Sequence, residues 1–301
     1  MESVVMHVVW LFLYPIVALV VGVLFLGLSR KVMARMHWRY GPPILQPVID
    51  IIRLFSQRSA SHGRLFDLGI VLSLAGSLII VLFLPFGDVA PLSGSGGLLV
   101  ILYMMLLGPL GIALSAGESA NPNASIGISR KLMLAIGYEL PLLLVLLAFM
   151  SRYNTISIVE VVRLQRATGW SIASFPLVVS GVAYLLILPA ILAIRPFELV
   201  QAPQEISSGP MVEYGGSYLA LAKVQHALSM FIGISLSVNL LFGGASHPLI
   251  FLLKMLVILM LGLFVNAAFP RLRIEQAIRY LWRWPSLIGL VGLVLAVVIG
   301  R

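Results

Sequence analysis

The segment LMLAIGYELPLLLVLLAFM at 132–150 indicates a membrane span, because its 19 residues include a single charged side chain, Glu139. About 20 mostly apolar residues are enough for a helix to cross the hydrocarbon core of a bilayer. Applied to the rest of the chain, the same criterion predicts eight spans, at 8–28, 68–86, 97–116, 132–150, 174–194, 224–242, 249–269 and 284–300. The sequence therefore predicts an all-α polytopic membrane protein with about eight transmembrane helices, forming a single transmembrane domain over 1–301.

The composition excludes a soluble protein and several kinds of chemistry. Apolar residues make up 60% of the chain and charged residues 10%, whereas soluble domains are about one quarter charged. Cysteine is absent, which rules out disulfides, thiolate-bound zinc, iron–sulfur ligation and thiol catalysis. Nucleotide-binding, metalloprotease and serine-hydrolase motifs are also missing. We therefore expect no catalytic residue, no metal site and no redox centre in this chain, so any redox metal belongs to a partner.

The basic residues predict the orientation. If the N-terminus is outside, the inside loops at 29–67, 117–131, 195–223 and 270–283 hold 15 Lys and Arg residues and the outside segments hold four. Cytoplasmic loops carry such an excess, so both termini are predicted outside, and the net charge of +9 needs no nucleic acid to explain it. Most acids share the inside loops, which suggests a docking surface or a proton entry. Apolar residues at helical spacing predict short amphipathic interfacial helices within 41–60 and 155–168.

Ionisable residues inside or next to spans are candidate functional residues, because a charge in hydrocarbon costs several kcal/mol. Glu139 lies beside Pro141 and is a candidate proton carrier, or else a structural acid bonded to a neighbouring helix. Lys254 either pairs with an intramembrane acid or snorkels to the outer interface. His226 either relays protons or packs as a neutral imidazole. Glu205 and Glu213 share a long polar loop and would take up protons near neutral pH if folded into a cavity.

Five segments resemble one family in order along nearly the whole chain. They are YGPPILQPVIDIIRLF at 40–55, LPF at 84–86, SRKLMLAIGYELPL at 129–142, RPFELVQAPQEISSGPMVEYGG at 195–216 and NAAFPRLRIEQAIRYLW at 266–282. They resemble the quinone-binding membrane component of respiratory NADH:quinone oxidoreductase (complex I) and the equivalent membrane component of energy-converting [NiFe] hydrogenases of the formate hydrogenlyase and hydrogenase-4 type. Three features favour the hydrogenase branch: the short first loop, the Gly209-Pro210 pair ahead of Glu213, and Lys223 after Glu213.

The resemblance implies a function for particular residues. Glu139, Glu205, Glu213 and Lys254 fall on ionisable residues of the family's ion path, and with His226 they form the predicted proton path. The peripheral-arm interface is predicted to comprise Asp50, Arg53, Arg195, Glu198, Arg271 and Arg273. Many relatives have acids in place of Gln201 and Pro203, so the entry to the proton path has fewer acidic residues in this chain.

The resemblance also implies partners and a location. The chain would bind no cofactor itself, while partner subunits carry the [NiFe] centre and iron–sulfur clusters. Expected partners are soluble hydrogenase large and small subunits, ferredoxin-like subunits and antiporter-like membrane subunits, in a prokaryotic cytoplasmic (inner) membrane. The alternative is a complex I component whose inside loops enclose a quinone. A transporter that works without partner subunits would be indicated by two inverted halves, and the sequence shows no such symmetry. A purely structural anchor would leave Glu139 unexplained.

Overall fold

The computed structural model describes residues 2–92 and 97–299, with side chains from residue 9 onward. In chain order the helices are α1 (Glu2–Met36), α2 (Gln46–Phe55), α3 (Arg64–Phe83), α4 (Gly97–Gly117), α5 (Pro122–Tyr153), α6 (Ile158–Thr168), α7 (Leu177–Ile191), α8 (Pro203–Ile206), α9 (Gly216–Leu241), α10 (Pro248–Ala268) and α11 (Ile274–Ile299). The regular structure of the described chain is helical, which confirms the predicted all-α polytopic fold.

Seven of these helices are long and apolar enough to span a membrane, and α7, with 15 residues, is shorter. α7 nevertheless connects the two ends of the bundle. Trp170, just before it, lies beside Phe242 at the end of α9, whereas the backbone N–H of Arg195, just after it, donates to Asn266 at the end of α10. α9 and α10 run in opposite directions, so these two contacts lie at opposite ends of the bundle. Within 2–92 and 97–299 the chain therefore runs the length of the bundle eight times, in agreement with the eight spans that the apolar pattern predicts.

Several helices start well before the apolar residues that predict them. α5 begins ten residues ahead of the predicted span, because Asn121 caps it by accepting from the N–H of Asn123 and Pro122 occupies the first turn. α9 and α11 likewise begin at Gly216 and Ile274, inside the loops predicted at 195–223 and 270–283. As a result, Arg130 and Lys131 stand on a helix at the membrane boundary and not in a loop.

α9 is the central helix, and 83% of its most apolar window is buried. It packs against α1, α2, α3, α7 and α10. Two of its buried polar side chains donate hydrogen bonds: Asn239 Nδ2 to the carbonyl of Pro85 at 2.9 Å, and the Ser237 hydroxyl to the carbonyl of Gly233 one turn earlier. Small residues allow other helices to approach closely. At the α3–α4 contact, a Cβ on Gly111 would lie 2.5 Å from the carbonyl oxygen of Gly69.

The segments between the spans form two faces. The charged face comprises 37–64, 117–131, 195–223 and 268–283, and the opposite face comprises 84–92, 154–176 and 242–248. α2 lies on the charged face and α6 on the opposite face, which confirms both amphipathic surface helices. α1 ends at the charged face and α11 begins there, so the described chain starts and finishes at the opposite face.

Candidate ion-coupling site

Five side chains on the charged face form one arginine–carboxylate network: Arg130, Arg195, Glu198, Glu205 and Arg271. Arg271 donates to Glu198 at 3.1 Å, and its other terminal nitrogen lies 3.6 Å from Glu205. Arg195 donates to Glu198 at 3.2 Å, and Arg130 donates to Glu205 at 2.7 Å. The hydrogen bond from Arg130, followed by the charges of Arg130 and Arg271, holds the pKa of the Glu205 carboxyl below its usual value. The network thus joins α5, the segment around α8 and the start of α11.

Asp50 anchors a second group of charges, where α2 meets the ends of α1 and α9. Its carboxylate accepts from Gln46 Nε2 at 2.9 Å and lies 3.5 Å from Arg30 and 3.7 Å from Lys223. The Gln46 hydrogen bond is the largest cause that lowers the pKa of Asp50, and the two cations add to it. The polar side of α2 therefore faces the protein, and Arg53 is exposed next to this group.

Glu213 forms a third group and makes no direct contact with Glu205. It accepts from Asn121 Nδ2 at 2.7 Å, and its other oxygen lies 3.4 Å from His62 Nε2. The next residue, Tyr214, is buried against Phe66, and burial raises the pKa of its phenol to about 12. The two loop glutamates therefore occupy separate polar groups, in place of the shared carboxylate cavity considered from the sequence.

Glu139 is separated from all of these groups. It lies in α5 and is half-buried, and within the described residues its carboxylate has no hydrogen bond or ion pair. Ile136, one turn earlier on the same side of the helix, and the adjacent Leu140 are both exposed. Glu139 consequently lies on the outer surface of the bundle at membrane depth, where lipid or another subunit would cover it.

Lys254 lies at the opposite end of the molecule from the arginine–carboxylate network. Its ammonium donates to the carbonyl of Phe242 at 2.8 Å and to the carbonyl of Gly244 at 2.5 Å. It also lies 5.2 Å from the ring centre of Trp170. These carbonyls follow the last turn of α9, where a cation is favoured by the free carbonyls and the helix dipole. The contacts of Lys254 are those of a helix cap.

His226 lines a cavity of about 880 Å³ between α1, α4, α5, α9 and the chain from 190 to 201. Lys131, Tyr138 and Gln225 line the same cavity. From Lys131 to Tyr138 the helix rises about 10 Å, so the cavity extends from the charged face well into the membrane-spanning part of the bundle. Of the predicted proton-path residues, only His226 lines it.

The remaining predicted interface residues are exposed or lie in the network. Arg273 is exposed at the start of α11, and its backbone N–H donates to Gln276. No group of three or more metal-ligating side chains occurs within 2–92 and 97–299. Sequence reasoning missed Asn121 and His62 as partners of Glu213, although Asn-Pro ahead of an apolar run is an N-cap signal that could have identified Asn121.

Comparisons with known proteins agree with this architecture. A family profile described as NADH dehydrogenase matches residues 8–297. The chain is 34% identical to hydrogenase-4 component C of Escherichia coli K12, over 82% of this chain and 80% of that protein. It is 28% identical to the H component of the NADH-quinone oxidoreductase of Geobacillus kaustophilus, over 90% of this chain and 87% of the relative.

A solved structure is also similar over almost its full length. A chain in the membrane-bound sulfane sulfur reductase, described as an archaeal respiratory membrane complex, superposes with a TM-score of 0.93 and 35% identity, covering 96% of this chain and 99% of that one. The relatives are thus membrane components named after different oxidoreductase activities.

Proposed function

The chain belongs to the NADH dehydrogenase family, and from this membership we propose that it is the membrane-anchoring and ion-coupling subunit of a complex-I-like oxidoreductase of the energy-converting hydrogenase type. In this proposal the charged face lies inside, in a prokaryotic cytoplasmic membrane, and seats soluble subunits that carry the [NiFe] and iron–sulfur centres. The identity to hydrogenase-4 component C favours the hydrogenase branch.

The observation that carries the proposal is the arginine–carboxylate network. Within it, Glu205 pairs with Arg130 and Arg271 at the charged face, so its protonation depends on the charges around it. A soluble subunit that changes charge on reduction and docks here would shift the protonation of Glu205. Proton movement through Glu213 and Glu139 would then link electron transfer in the arm to the membrane, with an antiporter-like subunit against the outer surface at Glu139.

The test is the number of ions moved per electron by the whole complex in proteoliposomes. Glutamine keeps the shape of glutamate but cannot carry a proton. Glu205→Gln, Glu213→Gln and Glu139→Gln should therefore lower the ratio strongly while the dye-linked activity of the soluble arm stays near wild type. If the residues form one path, double variants should be little worse than the worse single variant.

Glu160→Gln is the matched control, because Glu160 pairs with Arg163 at 3.9 Å on the exposed side of α6 at the opposite face. It should leave the ratio unchanged. A wild-type ratio in all three glutamine variants would reject the coupling role, and a loss of assembled complex at constant ratio would support a structural anchor.

The quinone alternative is supported by the cavity, whose volume is typical of a small-molecule site. A photoreactive quinone analogue added to the complex should label cavity residues of α5 and α9 if this alternative holds. In the hydrogenase proposal, labelling should be no higher than on the lipid-facing surface.

A further inference from the structure

The cavity has an unbalanced charge. Four cationic side chains line it, Arg30, Arg39, Lys131 and Arg195, against one carboxylate, Glu198. That carboxylate is already engaged by Arg195 and Arg271. An anion inside the cavity would therefore meet excess positive charge.

Two of the ionisable side chains that line the cavity, Lys131 and His226, lack a partner among the described residues. Both line the cavity, and neither has a hydrogen bond or ion pair to any described side chain or backbone group. Arg30 lines the same wall, and its own carboxylate partner, Asp50, is 3.5 Å away and shared with Lys223. A polar group removed from water is costly unless it has a partner, and a bound phosphate would supply one for both side chains.

The rest of the lining is apolar and adaptable. Five methionines contribute to it: Met33, Met104, Met105, Met211 and Met230. Methionine side chains have three rotatable bonds and adapt to ligands of variable shape. A flexible acyl chain suits this part of the cavity better than a small hydrated anion does.

The cavity reaches the charged-face end of α1, where a bilayer would present its lipid headgroups. His37 and Arg39 line it just beyond the end of α1, and the adjacent Trp38 and Tyr40 are 98% and 83% exposed. Amphipathic aromatic rings of this kind are enriched at the membrane–water interface. On α2, Ile49 and Ile52 continue the exposed apolar surface. A phospholipid can thus reach the cavity from the bilayer.

We propose that this cavity binds one anionic phospholipid. Its phosphate is held by Lys131 and His226 with Arg30 nearby, and an acyl chain lies along the methionines. The site adjoins the arginine–carboxylate network, which shares Arg195 and Glu198 with the cavity lining, but its phosphate lies at Lys131 and His226, outside the network. A neutral quinone would leave the cations without a counter-charge, which is why the lining favours a phosphate diester.

The test measures lipid retained by the whole complex after detergent exchange, by native mass spectrometry and lipid extraction. After reconstitution with equal phosphatidylglycerol and phosphatidylcholine, about one phosphatidylglycerol per chain should remain. Lys131→Gln and His226→Gln should each weaken its retention by about tenfold, the usual effect of losing one charge-assisted hydrogen bond. Lys131→Arg should restore retention. Arg279→Gln, an exposed cation on α11 outside the cavity lining, is the matched control and should retain phosphatidylglycerol like wild type.

Several outcomes would overturn the proposal. Equal retention of the two lipids, retention of an added menaquinone in place of lipid, or phosphatidylglycerol retention that is the same in Lys131→Gln and Arg279→Gln would each do so. Displacement of the lipid by millimolar inorganic phosphate would show that the site takes free phosphate and not a lipid. If Lys131→Gln does not assemble, wild-type lipid selectivity and the His226→Gln variant still decide the question.

Discussion

The two faces of the molecule use the same cationic residue types with different partners. On the opposite face, Arg166 donates to the carbonyls of Gly87 and Ala245 as well as to Asp88. Lys254 likewise donates to two backbone carbonyls. On the charged face, Arg195 and Arg271 pair with the carboxylate of Glu198. Backbone carbonyls keep the same charge at any pH, whereas carboxylates can accept a proton.

This difference in partners distinguishes cations that stabilise the bundle from cations that would respond to a docked subunit. Cations held by carbonyls fix the C-terminal end of α9 and the loop after α3, so they stabilise the bundle. Cations held by carboxylates respond to any partner that changes the local charge. The comparison therefore assigns the responsive chemistry to the charged face and favours a capping role for Lys254, although its place in the proton path stays a prediction of the sequence.

The largest expected effect is an all-or-none difference in labelling between the faces. The chain has no native cysteine, so single cysteines introduced at exposed positions report cleanly. In sealed right-side-out vesicles, an impermeant thiol reagent should label Ser246→Cys on the opposite face and spare Ser56→Cys on the charged face, because the excess of basic residues is retained inside. Permeabilised vesicles, in which both should react, provide the control. The reverse pattern would place the charged face outside and remove it as the seat of a cytoplasmic arm.

The next effect concerns docking. Arg53→Glu with Arg273→Glu should release the soluble subunits from purified membranes, because juxtaposed like charges at an interface cost several kcal/mol. Both residues are exposed, so the protein itself should still insert. The matched control is Arg152→Glu with Arg163→Glu, two exposed arginines of the opposite side, which should leave co-purification unchanged. Equal retention of the arm in both double variants would contradict the docking role of the charged face.

A smaller effect is expected at Lys254. Lys254→Met leaves the carbonyls of Phe242 and Gly244 without their donor, so the free energy of unfolding should fall by about 1–3 kcal/mol. Thermal unfolding in detergent gives this change, and the ions moved per electron should stay at the wild-type ratio. If stability is unchanged while the ratio falls, Lys254 belongs to the ion path and the contrast between the faces fails.

The sequence predicted the spans because the length of an apolar run is enough to identify a membrane-spanning helix. It placed the amphipathic helices α2 and α6 for the same reason, through the spacing of their apolar residues. Helix starts were harder, since α5 begins with the polar Asn121 cap, where hydropathy is low. The polar start of α5 is packed against the loop at Gly209 and Pro210, where a Cβ on Gly127 would lie 2.6 Å from Pro210 Cδ.

The candidate site was predictable as a set of residues but not as groups. Glu205 and Glu213 are eight residues apart in the chain, yet one pairs with Arg130 and Arg271 and the other with Asn121 and His62. Long-range pairings of this kind depend on how the helices pack, which no local pattern encodes. The cavity was missed for the same reason, because its walls come from helices far apart in the sequence.

The smallest expected effect is the pH dependence contributed by Glu205. Its pKa is lowered below 4.5 in the folded protein, so its contribution to stability is fully present above that value and is lost as the pH falls through the lowered folded pKa. The side chain is 49% exposed, and ion pairs of this exposure contribute about 1 kcal/mol or less. Melting temperatures of the purified complex should therefore fall slightly less steeply below about pH 4.5 in Glu205→Gln than in wild type, whereas Glu160→Gln, at the opposite face, should follow the wild-type curve. Parallel curves for wild type and Glu205→Gln would mean that the arginine–carboxylate network does not stabilise the ionised Glu205 carboxylate relative to the unfolded chain. The charged face would then not differ from the opposite face in this respect.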